Sequence, residues 1–275
     1  MVLLVRYGEI ALKSRFVRRQ LEDRLAANVR DMFAAGGVEC IVKVGHGRLF
    51  VYADDEAGAV RLLRRVFGIV SVSPAREMSS DLDALAREVA AYASGLLKSG
   101  SSFAIRPRRS GTHPYTSQDL ARVLGRAVQT AIPGVAVDLD EPDAEIHVEV
   151  RGPRAYLFHD VVDGPGGLPL GSQGDVLAVV DDEAGMAAAW MLMRRGCRVR
   201  VAGGGPFVEA LRAWDPKLEI SDQGDAAALA GESRTLAVVT ARDADLGEKD
   251  LLVLRPLVGL TSAEQRKLAE RIRTA

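Results

Sequence analysis

The chain has 275 residues, 48% of them hydrophobic and 27% charged, which supplies more than one packed core and does not read as a disordered chain. No apolar run reaches the roughly 18 residues of a membrane-crossing helix, and the apolar part of the opening MVLLVRYGEIALK is too short for a secretory signal, so a cytoplasmic protein without a membrane partner is expected. The net charge of −1 would argue against a polyanionic partner if it were evenly spread, but residues 1–130 carry 20 Lys+Arg against 13 Asp+Glu, residues 131–174 carry 2 against 8, and residues 175–275 carry 14 against 16.

The first 75 residues read as a small α+β unit. Val2–Val5 suits a buried strand. Val17, Leu21, Leu25, Val29 and Met32, three and four apart, predict a helix over 16–33, ended by Gly36-Gly37. A strand over 48–52, a helix over 57–66 and the strand-like IVSVSP follow. A second amphipathic helix spans 82–97, with Ser80 or Asp81 as its cap. The next strand is expected over 102–106, leading into a loop, RPRRSGTHPYTS, with Ser117 capping a helix over 118–131. Three strands are expected over 135–138, 145–150 and 154–158. Residues 163–175 hold five glycines and two prolines, a strong boundary signal. Beyond it, strands over 176–180, 198–202, 236–240 and 251–254 alternate with helices over 183–195, 206–213 and 262–273, the rhythm of a parallel sheet with crossover helices.

The basic loop carries the clearest chemical signal. Arg106, Arg108 and Arg109 precede Ser110, Thr112, His113 and Ser117, and Arg122 and Arg126 lie four apart on the following helix. Guanidinium groups beside hydroxyls and a helix N-terminus suit phosphate oxygens, although a solvated turn has the same composition. Lys13, Arg15, Arg18 and Arg19 form a second cluster at the start of the first helix, where cations oppose the helix dipole; an ordinary solvated face is the alternative. Gly203–Gly205 reads as a tight strand-to-helix turn rather than a dinucleotide fingerprint. The four histidines show no metal-binding spacing, so no metal site is expected, and of them only His113 is a candidate RNA contact. Cys40 and Cys197 read as small packed residues rather than nucleophiles.

Three stretches, RYGEIALKSRF, RRVFGIVSVSP and the run from FAIRPRR through VDLDEPDAEIHVEV to AYLFHDVVDGPGGLPLG, resemble the tRNA 4-thiouridine synthetase family, which is also associated with thiamine biosynthesis. The resemblance runs almost continuously over residues 1 to about 175. It implies a mixed α/β protein of three parts: an N-terminal ferredoxin-like domain over 1–75, a THUMP domain over 76–168 and a PP-loop adenylating domain over 169–275. It also implies tRNA as partner, held by its acceptor end on the first two domains, with ATP and Mg²⁺ serving the third.

The third part departs from the family pattern. AAWMLMRRGCRVR, LRPLVGL and AERIRTA resemble it, but where the family has SGGIDSPV this chain has Val180, Asp181, Asp182, Glu183, Ala184, Gly185, Met186 and Ala187. Like charges at about 4 Å repel by roughly 1 kcal/mol in water and by several times that in a partly dry site, so three carboxylates oppose a bound polyphosphate. The family's VTGDSLGQVASQT is reduced to a stretch over 239–247, and no cysteine falls where the sulfur-carrying thiol is expected. The leading expectation is therefore a tRNA-binding protein without adenylation or sulfur transfer and without a cofactor, serving a modification or sulfur-transfer enzyme, with a homodimer left open. The alternative is an active tRNA sulfurtransferase making 4-thiouridine from a non-standard site or with partner-supplied chemistry.

Overall fold

The computed structural model describes residues 1–45, 47–222, 235–241 and 252–274. It is a mixed α/β protein that divides into two compact units, one made of Met1–Leu4 with Ser73–Val161 and the other of Val5–Val72 with Val162–Ala275. The first strands and helices are β1 (Val2–Tyr7), a 3₁₀ turn at Glu9–Leu12, α1 (Arg15–Ala35), β2 (Ile41–Gly45), β3 (Arg48–Tyr52), α2 (Glu56–Leu63) and β4 (Ile69–Ser79). The three-and-four spacing read from the sequence is what α1 buries, through Leu21, Leu25, Val29 and Met32; Val17, in its first turn, is exposed instead. The helix stops at Gly36, and Gly37 takes a φ of +67°. Strand β2 was not expected. It has no buried residue and is held by antiparallel pairing with β3 from Ile41 opposite Tyr52 to Gly45 opposite Arg48.

The smaller unit packs α3 (Leu82–Leu96) and α4 (Ser117–Ala131) on one face of a sheet containing β5 (Ser102–Ser110), β6 (Ala136–Val137), β7 (Ala144–Arg151) and β8 (Arg154–Phe158). Asp81 caps α3 by accepting the Ala84 N–H at 2.9 Å. Two sequence expectations are corrected here. The chain from Arg106 to Ser110 is not loop: β5 continues through it, paired in parallel with β7 from Phe103 opposite Ala144 to Ser110 opposite Arg151. Pairing with β6 covers only Ser102 and Phe103, so Pro107 lies in the stretch where β5 is an edge strand, a position in which proline is tolerated. The cap of α4 is Thr116, not Ser117. The Thr116 Oγ1 accepts the Asp119 N–H at 3.1 Å, and the Asp119 carboxylate accepts the Thr116 N–H at 3.0 Å, a reciprocal capping box.

The remaining elements are β9 (Val162–Asp163), β10 (Asp175–Val180), α5 (Glu183–Arg194), β11 (Arg198–Gly203), α6 (Pro206–Arg212), β12 (Glu219–Ser221), β13 (Thr235–Val239), β14 (Leu252–Leu254) and α7 (Ser262–Thr274). As the alternating rhythm implies, β12-β11-β10-β13-β14 form a wholly parallel sheet. Its core includes Trp190 of α5, Trp214 and Phe67, the last from the segment between α2 and β4. The Phe67 ring stacks on Trp214 at 5.3 Å and meets Trp190 edge-on at 5.4 Å. Asn28 on α1 donates to the Leu170 carbonyl at 3.1 Å. The Gly-rich boundary closes against α5: Gly167 has a φ of +77°, a Cβ there would lie 2.0 Å from the Arg194 carbonyl oxygen, and the Leu168 N–H donates to that oxygen at 3.0 Å. Among the described residues no helix is long and apolar enough to cross a membrane.

Candidate nucleic-acid interface

Extending β5 to Ser110 separates the arginines that a loop would have gathered. Side chains alternate along a strand, and Phe103 and Ile105 face the core under the helices. Arg109 therefore follows them on the helix-bearing face, while Arg106, Arg108 and Ser110 take the opposite one. Arg106 is committed within the chain: its Nε donates to Glu145 at 2.7 Å and its Nη2 to the Leu139 carbonyl at 2.8 Å. Arg108 is exposed and stands opposite Glu149 in the ladder; Glu149 itself is buried and paired with Arg151 at 2.9 Å.

On the helix-bearing face, Arg109 donates to the Gly111 carbonyl at 3.3 Å and makes no ion pair among the described residues. His113 bonds the Ser110 carbonyl at 3.0 Å and stacks on Tyr115, whose hydroxyl donates to the Ser80 carbonyl at 2.6 Å. Burial pushes the Tyr115 hydroxyl pKa up. The Thr116 hydroxyl and N–H hold the Asp119 carboxyl below its usual range, and Asp119 also takes the Arg122 guanidinium. Ser117 is the first residue of α4, and Arg126 lies one turn beyond Arg122, exposed.

The second cluster belongs to the other unit. Lys13, Arg15 and Arg19 are exposed, but Arg18 turns back to close the 3₁₀ turn, donating to the Ala11 carbonyl at 2.7 Å and the Lys13 carbonyl at 3.3 Å. Among these cations stand Leu12 and Phe16, 87% and 73% exposed. Sequence reasoning passed over both, because Phe16 was read as part of the helix and Leu12 as part of an apolar opening; the cations on either side were the available signal.

The turn between β10 and α5 is short and acidic. Val180 ends the strand buried, Asp181 is exposed, and the Asp182 Oδ1 accepts the Gly185 N–H at 2.8 Å. Glu183 pairs with Arg273 at 2.8 Å. Gly185 is packed so closely that a Cβ would lie 2.8 Å from the Val179 carbonyl oxygen. Gly203, which ends β11, would place a Cβ 2.2 Å from the carbonyl oxygen of Val180, its partner on β10, and Gly205, with a φ of +79°, leads directly into α6, the tight strand-to-helix turn expected of Gly203–Gly205. Burial raises the thiol pKa of both Cys40 and Cys197. Among the described residues no group of three or more His, Cys, Asp or Glu is placed to hold a metal. His46 and residues 242–247 of the weak late segment lie outside the described residues.

Residues 2–73 match the ThiI ferredoxin-like domain and residues 79–160 the THUMP domain. A tRNA sulfurtransferase of Pyrobaculum aerophilum is 34% identical over 333 aligned positions, covering 99% of this chain and 67% of that protein. The chain belongs to the tRNA sulfurtransferase family. Probable tRNA sulfurtransferases of Methanothermobacter thermautotrophicus and Aeropyrum pernix are 41% and 42% identical, covering 72% and 73% of this chain and 51% and 52% of their own lengths. The chain thus spans about half the length of these family members. The Pyrobaculum alignment is 333 positions long against a chain of 275 residues, so many positions of that family member have no counterpart here. The solved structure of PH1313 from Pyrococcus horikoshii Ot3 superposes with a TM-score of 0.84 at 26% identity, covering 98% of this chain and 99% of that one. A 4-thiouridine synthetase solved with RNA and bound ATP superposes at 0.79 and 20% identity, over 98% of this chain and 84% of that one; this likeness shows the shared fold.

Proposed function

We propose that this member of the tRNA sulfurtransferase family binds tRNA and has given up nucleotide activation. In this reading residues 1–75 and 76–168 hold the acceptor region, through Lys13, Arg15 and Arg19 on one unit and Arg108, Arg109, Ser110, His113, Ser117, Arg122 and Arg126 on the other, while residues 169–275 keep a PP-loop scaffold without its phosphate site. Arg18 and Arg106 support these surfaces from within: Arg18 closes the turn that presents Lys13, and Arg106 is held by Glu145.

The β10–α5 turn carries the reading. A phosphate-binding turn leaves backbone N–H groups at a helix N-terminus open to the anion. Here the Asp182 carboxylate takes the Gly185 N–H, and Asp181 and Glu183 flank it with further negative charge. These residues do not fit a polyphosphate, with or without Mg²⁺. The test is paired: tRNA titrations at several salt concentrations, and calorimetry with ATP. Salt-dependent tRNA binding without an ATP heat is expected. Ordinary ATP affinity would refute the loss of activation, and salt-independent or absent tRNA binding would refute the rest.

Membership of a family named for sulfur transfer favours a second reading, an active enzyme using a partner's chemistry. Deleting the gene and measuring 4-thiouridine in bulk tRNA separates the two. Loss of the nucleoside, restored by the wild-type chain and not by Asp181→Ala/Asp182→Ala, would establish catalysis at this turn.

A further inference from the structure

At the opposite end of α5 from the acidic turn lies a cleft of about 580 Å³ lined by Met191, Leu192, Arg194, Arg195, Leu254 and Arg255, together with Glu9, Gly167 and Pro256. Helix α5 has 12 residues, so its two ends are about 18 Å apart at 1.5 Å per residue, and none of residues 180–185 borders the cleft. The volume falls within the range of small-molecule sites, about 300–1,000 Å³.

The lining is divided in character. Among the described residues the polar part of the lining is three arginines and one carboxylate, Glu9. Arg194 is fixed, its Nε donating to the Pro165 carbonyl at 2.8 Å while its guanidinium lies 5.9 Å from the Trp190 ring centroid. Arg195, the C-cap of α5, is exposed and makes no ion pair among the described residues. Met191, Leu192, Leu254 and Pro256, all partly buried, supply the apolar wall. Gly167 lets the boundary segment lie directly against the end of α5 and form one wall of the cleft, since a Cβ there would strike the Arg194 carbonyl oxygen at 2.0 Å. Arginines at a helix C-terminus also complement the dipole, but the dipole explains neither Arg255 nor the apolar wall beside them.

We propose that this cleft is a nucleotide site, with phosphate on Arg195 and Arg255 and the base against Met191, Leu192, Leu254 and Pro256. A guanidinium fork matches phosphate oxygens in pairs, and a flat heterocycle with an anionic tail is the ligand whose two halves fit the two halves of this lining. Glu9 is placed to accept from a sugar hydroxyl or an exocyclic amine. The nucleotide is either free in solution or one residue of a bound RNA strand. The inference goes beyond the proposed tRNA surfaces and uses none of their residues.

The test titrates the full chain with a fluorescent (mant-labelled) adenosine monophosphate and, separately, with a fluorescein-labelled single-stranded RNA octamer. Each titration is run on the wild type, Arg195→Glu, Arg255→Glu and Arg87→Glu, the last a charge-matched control on an exposed arginine of α3, with thermal unfolding to show that each variant folds. A free nucleotide as ligand predicts mononucleotide binding that weakens about tenfold or more in Arg195→Glu and Arg255→Glu and is unchanged in Arg87→Glu. A strand nucleotide as ligand predicts no mononucleotide binding, and octamer binding that weakens more in the two cleft variants than in the control. If neither probe binds, or if all three reversals act alike, the cleft is not a nucleotide site.

Discussion

Replacing Arg109 and Arg126 together with Ala, set against Arg106→Ala alone, tests whether the smaller unit grips RNA by its phosphates. Arg109 and Arg126 are exposed and make no ion pair among the described residues, whereas Arg106 lies 2.7 Å from Glu145 and is only 33% exposed. Each phosphate contact from an unpaired cation contributes about one unit to the slope of log K against log salt. Loss of two such contacts should lower the slope by about two. Over the fourfold range from about 50 to 200 mM salt that amounts to about a 16-fold smaller change in affinity than the wild type shows. Arg106→Ala should lower the slope by well under one, because Glu145 already offsets its charge, though affinity still falls as the Glu145 carboxylate loses its arginine partner. Fluorescence anisotropy with labelled tRNA at three salt concentrations gives both quantities. An unchanged slope in the double variant, or a slope loss in Arg106→Ala as large as in the double variant, would refute the reasoning.

Three other predictions follow from particular contacts. Asp182→Ala removes the carboxylate that accepts the Gly185 N–H and should cost about 1 kcal/mol, read as a lower urea midpoint at unchanged m-value; an unchanged midpoint would mean that the cap contributes nothing to α5. Asp215 is buried and burial raises its carboxyl pKa, so the folded state holds that proton more tightly than the unfolded chain, whose carboxyl titrates at about 4. Its contribution is therefore most favourable below that pH and is lost as pH rises through the folded-state pKa. Asp215→Asn should accordingly gain stability relative to the wild type between pH 4 and 7 in thermal melts, and a constant difference across that window would contradict it. The Cys40 and Cys197 thiols, both shifted upward by burial, should react with a disulfide reagent at pH 8 more slowly than free cysteine, Cys197 the more slowly of the two; rates matching free cysteine would show otherwise.

The α1 stripe and the strand-helix alternation after residue 175 were legible because each depends on local periodicity, and both appear where the spacing places them. The end of β5 was not legible. Proline and three arginines between Arg106 and Arg109 have the composition of a loop, and only pairing with β7, some 40 residues away, makes them strand. The same distance hid the grip of Glu145 on Arg106. The cap of α4 is different: Thr116 and Asp119 stand at capping-box spacing, so the signal is present in the sequence, and the adjacent Ser117 competes with it for the same role. The acidic turn at Asp181–Glu183 was visible as a departure from the family pattern, but that Asp182 folds back onto the Gly185 N–H is knowledge only coordinates supply. The exposed Leu12 and Phe16 belong with it, since apolar spacing carries no information about which side of a first turn is left uncovered.

The packing of Phe67 between Trp190 and Trp214 ties the first 75 residues to the segment that carries the parallel sheet. An aromatic truncated to Ala in such a core costs about 3–5 kcal/mol, a large part of the stability of an ordinary domain. A chain cut after residue 168 would strand Phe67 without either tryptophan and leave Asn28 without the Leu170 carbonyl. The segment after residue 168 is thus a folding partner of the one before it, independently of any chemistry either carries.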